Sequence, residues 1–236
     1  MKWMFVFVAV FWATNADANA NAQKETVNLE TLINQFNSVV FIHEHGKSGR
    51  EAKPLVKWQG PIVFAVTNAK TKENLKQLGR VMGKIRKLTK LDVSQVKKGG
   101  QANMHISFHT QAELKKTLKK GINCKGTLKG NGRTFAITFG KAIIPNDRPD
   151  KTMHCIVEET VQLLGLTNDS TIIKNSIFHE ESDRTSMSVS DLILLKALYD
   201  PRMRPGMKMK EAQPALRVVM KDILDEIARK QKAKKK

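Results

Sequence analysis

A strand followed by a long amphipathic helix, two more strands and a second helix constrains the fold of this chain more than any other feature. The apolar run at residues 61–66 is typical of a strand, as are residues 104–108 and 134–139. Apolar residues recur at helical spacing after Thr71 and again after Met153. Connections of this length favour a packed sheet over a helix bundle. We therefore expect the three strands to share one sheet and both helices to pack on the same face of it.

The remaining segments complete the expected secondary structure. The run at 39–42 is either a strand or a short packing segment. The helix over 153–164 should end at Gly165 in a left-handed conformation. Helices are also predicted over 191–199 and in the segment 208–236, which ends in a lysine tail. The expected class is α+β, with a mixed twisted sheet and C-terminal helices.

The start of the chain has the pattern of an export signal. Lys2 precedes an uncharged run over residues 3–13, and three overlapping small-x-small sites allow cleavage after residue 18, 20 or 22. The run is too short for a membrane span, which needs about 20 apolar residues. We therefore predict a signal peptide over 1–22, a periplasmic or secreted protein, and no transmembrane anchor after cleavage.

The chain has two cysteines, Cys124 and Cys155. In an oxidising compartment, an even pair without metal-type spacing is most simply a disulfide. Two buried free thiols are the alternative. The chain-entropy estimate for a loop of this size is about 3 to 4 kcal/mol of stabilisation.

Positive charge dominates the composition, with 41 Lys and Arg against 22 Asp and Glu and a net charge of +19. An anionic envelope surface or polymer is therefore a candidate partner. Aromatic residues are not interleaved with the lysines, so we expect no specific nucleic-acid binding. A solvated lysine-rich surface is the simpler alternative. The charge is concentrated on one face of the helix after Thr71, at Lys72, Lys76, Arg80, Lys84 and Lys87.

An acidic segment within this basic chain carries the candidate chemistry. On the helix over 153–164, Glu158 and Gln162 share a face, with Glu159 beside them and His154 one turn earlier. The reversal at Gly165 should return Asn168 and Asp169 towards that face. We expect these six polar residues to line one cleft, as a binding site.

This segment, E-E-x-x-Q-x-L-G-L-x-N-D, resembles the zinc-peptidase signature H-E-x-x-H-x-x-G-x-x-H. Glu158, Gln162 and Asn168 stand where the three histidines would be, and Glu159 stands at the general-base position. The order of strands and helices is also similar to the upper half of a zincin. The resemblance implies a zincin-like, or metallopeptidase-like, domain over 58–207.

With the preceding cysteine and the later Leu198-Tyr199-Asp200-Pro201-Arg202-Met203 and Pro205-Gly206-Met207, the segment also resembles a family of exported bacterial proteins, domain-of-unknown-function family twenty-nine twenty-seven. That resemblance brings no substrate or activity. It leaves an N-terminal segment at 23–57 and a basic C-terminal helix and tail at 208–236.

The departure from the zinc signature bears on activity. Zinc prefers imidazole and thiolate, and a glutamine carbonyl is a poor neutral ligand, so we expect no zinc peptidase and no cofactor. If a weak or hard divalent cation binds, His154 and Glu158 are the candidate ligands. Glu159 is the candidate catalytic residue, because repulsion from Glu158 would raise its pKa. The alternative is that these side chains lie on a solvated helix face or cap backbone groups.

Three functions follow from these patterns. We predict first a non-peptidase domain that binds an unknown protein or peptide ligand beside the signature helix, the helix that carries Glu158 and Glu159. The alternative is a hydrolase that uses Glu159 and an atypical metal site. The second alternative is a basic binder of anionic envelope polymers.

Overall fold

A computed structural model gives the structure of residues 28–42 and 52–234. The expected signal peptide and the last two lysines of the tail lie outside these described residues. The described residues form six helices and six strands. The helices are α1 (Leu29–Phe41), α2 (Lys72–Thr89), α3 (Gln111–Thr117), α4 (Pro149–Gln162), α5 (Val189–Leu198) and α6 (Met209–Lys234). The strands are β1 (Lys57–Trp58), β2 (Ile62–Thr67), β3 (Val93–Gln95), β4 (Met104–His109), β5 (Lys125–Gly130) and β6 (Ala136–Pro145).

All six strands belong to one mixed sheet. Strands β1, β6, β4, β2 and β3 follow one another across it, and β5 also pairs with β6. The β5–β6 pair is antiparallel, and the other pairs are parallel. The three strands expected from the sequence correspond to β2, β4 and β6, so the prediction that they share one sheet is confirmed. The bounds of the third differ: β6 begins at Ala136, after Phe135 with a φ of +56°, and continues to Pro145 instead of ending at residue 139. The α+β class is confirmed with it.

The two long helices of the prediction pack against each other. Helix α2 contacts α4, and α4 contacts β6 and β5, so both helices lie on one face of the sheet, as expected. Thr71 is the N-cap of α2 and accepts a hydrogen bond from the Asn74 N–H at 3.1 Å. Lys90 ends the helix in the left-handed conformation. The buried side of α2 is apolar, and its exposed side carries the basic residues.

The apolar run at 39–42 is not a strand. Residues 39–41 form the last turn of α1, and Ile42 makes an isolated bridge to Ala52. The helix begins at an Asn28 cap, and Leu32, Phe36 and Val39 repeat at helical spacing on its buried side. Burial of this whole stripe outweighs the β propensity of a short apolar run.

Helix α1 and helix α6 belong to the same hydrophobic core as the sheet. Helix α1 packs on α6, and α6 packs on α5. Leu32 and Phe36 of α1 and Leu216 and Val219 of α6 are fully buried in the cluster that also includes strand and α4 residues. The segment 58–207 therefore packs with elements on both sides of it. None of the helices in the described ranges combines the length and apolar character that crossing a bilayer requires.

Candidate functional site

Helix α4 places its polar residues between the sheet and the loop after the helix. It begins at Pro149, whose fixed φ suits the first helical position, and Arg148 is its N-cap. His154 and Glu158 lie one turn apart and form an ion pair, with Nε2 3.0 Å from Oε2. The other ring nitrogen of His154, Nδ1, is 2.9 Å from the Arg184 carbonyl oxygen.

The surroundings of His154 favour its charged form. Burial lowers the pKa of the imidazole, but the hydrogen bond and negative charge of Glu158 and the Arg184 carbonyl outweigh it, so the pKa is raised. Both ring nitrogens then act as donors. The two side chains are 9% and 13% exposed, which fixes Glu158 in place beside the imidazolium.

Glu159 is the most buried carboxyl of the candidate cluster. Only 4% of the residue is exposed, and its Oε2 has no hydrogen-bond partner among the described residues. It lies against Gly126 of β5, where a Cβ would be 2.8 Å from Oε2. Glycine at this position therefore makes room for the carboxyl.

The pKa of Glu159 is raised well above its ordinary value. Burial is the main cause, and the negative charges of Glu158 and Asp169 add to it. The nearby Gly126 N–H, which makes no hydrogen bond to Oε2, and the charge of Lys125 act in the opposite direction but are weaker. The site therefore contains a carboxyl that retains a proton more readily than a surface glutamate.

The chain reverses directly after α4 and brings Asp169 back to the helix. Gln162 Nε2 donates to Asp169 Oδ1 at 2.9 Å. Gly165 has a φ of +111°, which confirms the predicted left-handed conformation. A Cβ on Gly165 would collide with the Val56 carbonyl oxygen, so the close approach of the chain before β1 requires glycine there.

Two aromatic side chains hold this reversal. Trp58 Nε1 donates to the Leu163 carbonyl at 2.8 Å, and the Tyr199 hydroxyl donates to the Leu164 carbonyl at 3.0 Å. The same hydroxyl accepts from the Trp58 N–H at 3.1 Å. These bonds satisfy carbonyls at the end of α4 and fix the loop that carries Asp169.

Asn168 makes its contacts away from the two glutamates. Its amide nitrogen donates to the carbonyls of Ser38 and Val39 in α1, at 3.3 and 3.1 Å, and the residue is 7% exposed. Carbonyls at the end of α1 need donors, and Asn168 supplies them. This corrects the expectation that Asn168 faces the same cleft.

The disulfide Cys124–Cys155 is present, as predicted, with its Cα atoms 6.0 Å apart. It joins the segment before β5 to α4. Cys124 Sγ and one carboxylate oxygen each of Glu158 and Glu159 lie within 4.8 Å of one another. Cys155 lies three and four residues before the two glutamates on α4, so the disulfide holds Cys124 near them.

The residues that the zinc-peptidase comparison aligns with ligands do not suit that metal. The Gln162 side chain is hydrogen-bonded to Asp169, and the Asn168 side chain is hydrogen-bonded to α1. Glu158 is the one anionic donor of the three, and it already pairs with His154. Zinc at that position would have a single carboxylate and two neutral amides, which is a poor set.

Two surface pockets lie elsewhere in the described part of the chain. One, of about 440 Å³, is lined by Lys57, Trp58, Tyr199 and Arg204 among others. The other, of about 460 Å³, lies beside Lys115, Lys119 and Ile122.

No sequence pattern singles out Lys57 or Gly126. Lys57 is buried and donates to the carbonyls of Leu198 and Asp200 at 3.0 and 3.3 Å. Burial lowers its pKa to about 8, opposed by the charge of Asp200. Lysine and glycine are ordinary surface and turn residues in a sequence, so only the packing distinguishes these two.

Comparison with known proteins gives one result. Among curated proteins, no sequence matches the chain. A family model described as protein of unknown function (DUF2927) matches residues 29–218, which includes α1, the whole sheet, α4 and part of α6. This match covers most of the chain. The protein therefore belongs to the DUF2927 family, as its E-E-x-x-Q-x-L-G-L-x-N-D segment predicted.

Proposed function

We propose that this protein is an exported, zincin-like domain that binds an extended protein or peptide segment along β5, beside the signature helix α4, without cleaving it. The observation that carries the proposal is the open edge of β5. Within the described residues β5 pairs with β6 alone, so one edge of its backbone has no neighbouring strand. Such an edge can accept an added strand from a partner.

The two faces of β5 differ in charge, and this suggests the ligand. Side chains alternate along a strand, and Gly126 points towards Glu159. Lys125, Thr127 and Lys129 therefore point to the opposite face, where all three are exposed. The α4 side offers carboxylates, and the opposite side offers lysines.

An added strand would meet both charges in alternation. Basic side chains on the α4 side would approach Glu158, and acidic ones on the other side would approach the lysines. We therefore infer a ligand with alternating basic and acidic residues. The lysines also oppose pairing between two copies of this strand, because like charges would face each other.

Two observations support the finer parts of the proposal. The order β2, α2, β4, β6 and α4 is the order on which the zincin comparison rests. The disulfide is typical of proteins in oxidising compartments and supports export. Export also predicts that the mature chain starts at residue 19, 21 or 23. Intact mass of protein isolated from the producing cell tests this, and an uncleaved N-terminus would contradict it.

The direct experiment measures binding of fluorescent peptides by anisotropy. A peptide of alternating Lys and Glu should bind, and the same peptide N-methylated on alternate residues should not, because the methyl groups remove the ladder donors. Glu158→Gln should weaken binding about tenfold, as loss of one charge pair worth about 1.4 kcal/mol. Glu180→Gln, at an exposed acidic residue in another loop, is the matched control and should leave binding unchanged. Equal binding of both peptides would contradict strand addition.

The same mixtures test the hydrolase alternative. Glu159 has the raised pKa of a candidate general acid, but the residues around it do not form the zinc site of a peptidase. Mass spectrometry should recover the bound peptide intact. If the wild type cleaves the peptide and Glu159→Gln does not, the hydrolase becomes the better-supported function.

The basic face of α2 favours a second candidate function, binding of an anionic polymer. Its five basic side chains are exposed, and Gly79 and Gly83 between them leave open space above the helix. Lys76 and Arg80 are partly neutralised by Glu73, at 4.0 and 3.2 Å. Retention on an anionic matrix should fall with salt and with the pair Lys84→Glu and Lys87→Glu. Retention unchanged by that pair would remove this candidate.

A further inference from the structure

We propose that reduction of the Cys124–Cys155 disulfide creates a zinc site, in which the Cys124 thiolate and the carboxylates of Glu158 and Glu159 bind the metal. This inference does not rest on peptide binding, since it concerns the reduced protein and a different ligand. It also uses a donor set that the zinc-peptidase comparison does not contain.

The geometry of the three donors carries the proposal. Cys124 Sγ and an oxygen of each glutamate already lie within 4.8 Å of one another. Zinc bonds of about 2.0 to 2.3 Å place tetrahedral donors about 3.5 Å apart. The donors must therefore approach by about 1 Å, and breaking the disulfide frees the Cys124 side chain to rotate towards the two carboxylates.

Glu159 provides the second, independent observation. The residue is 96% buried, since 4% of it is exposed, yet its Oε2 has no hydrogen-bond partner in the described part of the chain. A buried carboxyl oxygen without a partner is costly. A cation bound among the three donors would give this buried carboxylate a partner.

The disulfide keeps this site closed. A disulfide sulfur carries no charge and is not a zinc ligand of the thiolate kind, so the oxidised protein offers two carboxylates, which bind zinc weakly. Reduction by a phosphine consumes one water: the phosphine becomes a phosphine oxide, and the two sulfurs take up two electrons and two protons as thiols. On binding zinc, Cys124 releases its proton to solvent, and Glu159 releases the proton that its raised pKa favours.

His154 supports the site from behind. Its Nε2 holds Glu158 at 3.0 Å, and its Nδ1 is held by the Arg184 carbonyl at 2.9 Å. Such an outer hydrogen bond orients a carboxylate ligand. A water can complete four-coordination, as in open zinc sites.

Two cysteine variants separate the thiolate from the loss of the disulfide. Cys124→Ala and Cys155→Ala both lack the bond, but only Cys155→Ala retains the Cys124 thiol. After dialysis against trace zinc, we expect about one zinc ion per chain in Cys155→Ala and less than a tenth of that in Cys124→Ala and in the oxidised wild type. Cobalt in place of zinc should give thiolate-to-metal charge-transfer absorption in Cys155→Ala alone. Adding Glu159→Gln to Cys155→Ala should remove both signals.

Circular dichroism checks that each variant is folded. If Cys155→Ala does not fold without metal, zinc should restore its fold, because a ligand of the folded state stabilises it. The wild type reduced with phosphine should also bind about one zinc ion per chain, and zinc should restore its fold if reduction unfolds it. Equal zinc in the two cysteine variants, zinc in the oxidised wild type, or no zinc and no rescue in Cys155→Ala would each overturn the proposal.

Discussion

Glu159 and Gly126 fit together across the boundary between α4 and β5, with the carboxyl oxygen Oε2 2.8 Å from the place where a side chain on Gly126 would begin. Strand and helix therefore approach closely at the point where the signature helix carries its buried acid. Any side chain on Gly126 must displace that acid or separate the two elements.

Gly126→Ala should destabilise the protein by about 1 to 3 kcal/mol, because it overpacks a filled site. Glu159→Ala removes the oxygen that a side chain on Gly126 would meet. In that background, Gly126→Ala should lower the free energy of unfolding by at least about 1 kcal/mol less than it does in the wild type. Chemical denaturation of the four proteins measures this cycle. Gly132→Ala, where the space is open, is the control and should change stability by less than about 0.5 kcal/mol. Additive effects would show that the two residues do not compete for the same space.

Gly165→Ala should be more damaging still. It combines a φ of +111° with a collision against the Val56 carbonyl, so we expect a loss of more than about 2 kcal/mol. Gly83→Ala on the exposed side of α2 is the contrasting control, since alanine favours a helix and should stabilise by up to about 1 kcal/mol. Thermal unfolding compares them. If Gly165→Ala left the stability unchanged, the reversal after α4 would not be held as tightly as its contacts indicate.

The depressed pKa of Lys57 should appear in the pH dependence of stability. Burial lowers its pKa to about 8 in the folded protein, below the unfolded value of 10.5. Between these values the unfolded chain binds a proton that the folded chain does not, so stability rises with pH in this window. Between pH 8 and 10.5, the free energy of unfolding of the wild type should rise by on the order of 3 kcal/mol relative to that of Lys57→Met. A difference between the two proteins that does not change with pH would refute the shift.

The sequence predicted those elements whose residues follow a clear period. Strands β2 and β4, helix α2 and its Thr71 cap were recognisable because their apolar positions and capping residue act locally. Strand β5 was not recognisable: its sequence, K-G-T-L-K-G, has little β propensity, and it is a strand because it pairs with β6. Helix α1 was misread because four apolar residues in a row fit either structure.

The candidate site was predictable in part for the same reason. The proximity of His154 to Glu158 follows from helical spacing, and the turn at Gly165 follows from its residue type. The burial of Glu159 depends on Gly126, which is 33 residues earlier in the chain. The position of Asn168 depends on carbonyls of α1, which is further away still. Long-range packing of this kind leaves no local pattern.

Hydrogen exchange of the oxidised protein, with and without the alternating Lys-Glu peptide, tests the central claim most directly. If the peptide adds a strand to the sheet, backbone amides in residues 125–130 become protected, with smaller changes in α4 around Glu158. The N-methylated peptide should leave this exchange unchanged. Protection confined to α2, or no protection in β5 at peptide concentrations that saturate binding, would contradict the proposal that β5 and α4 form the binding site.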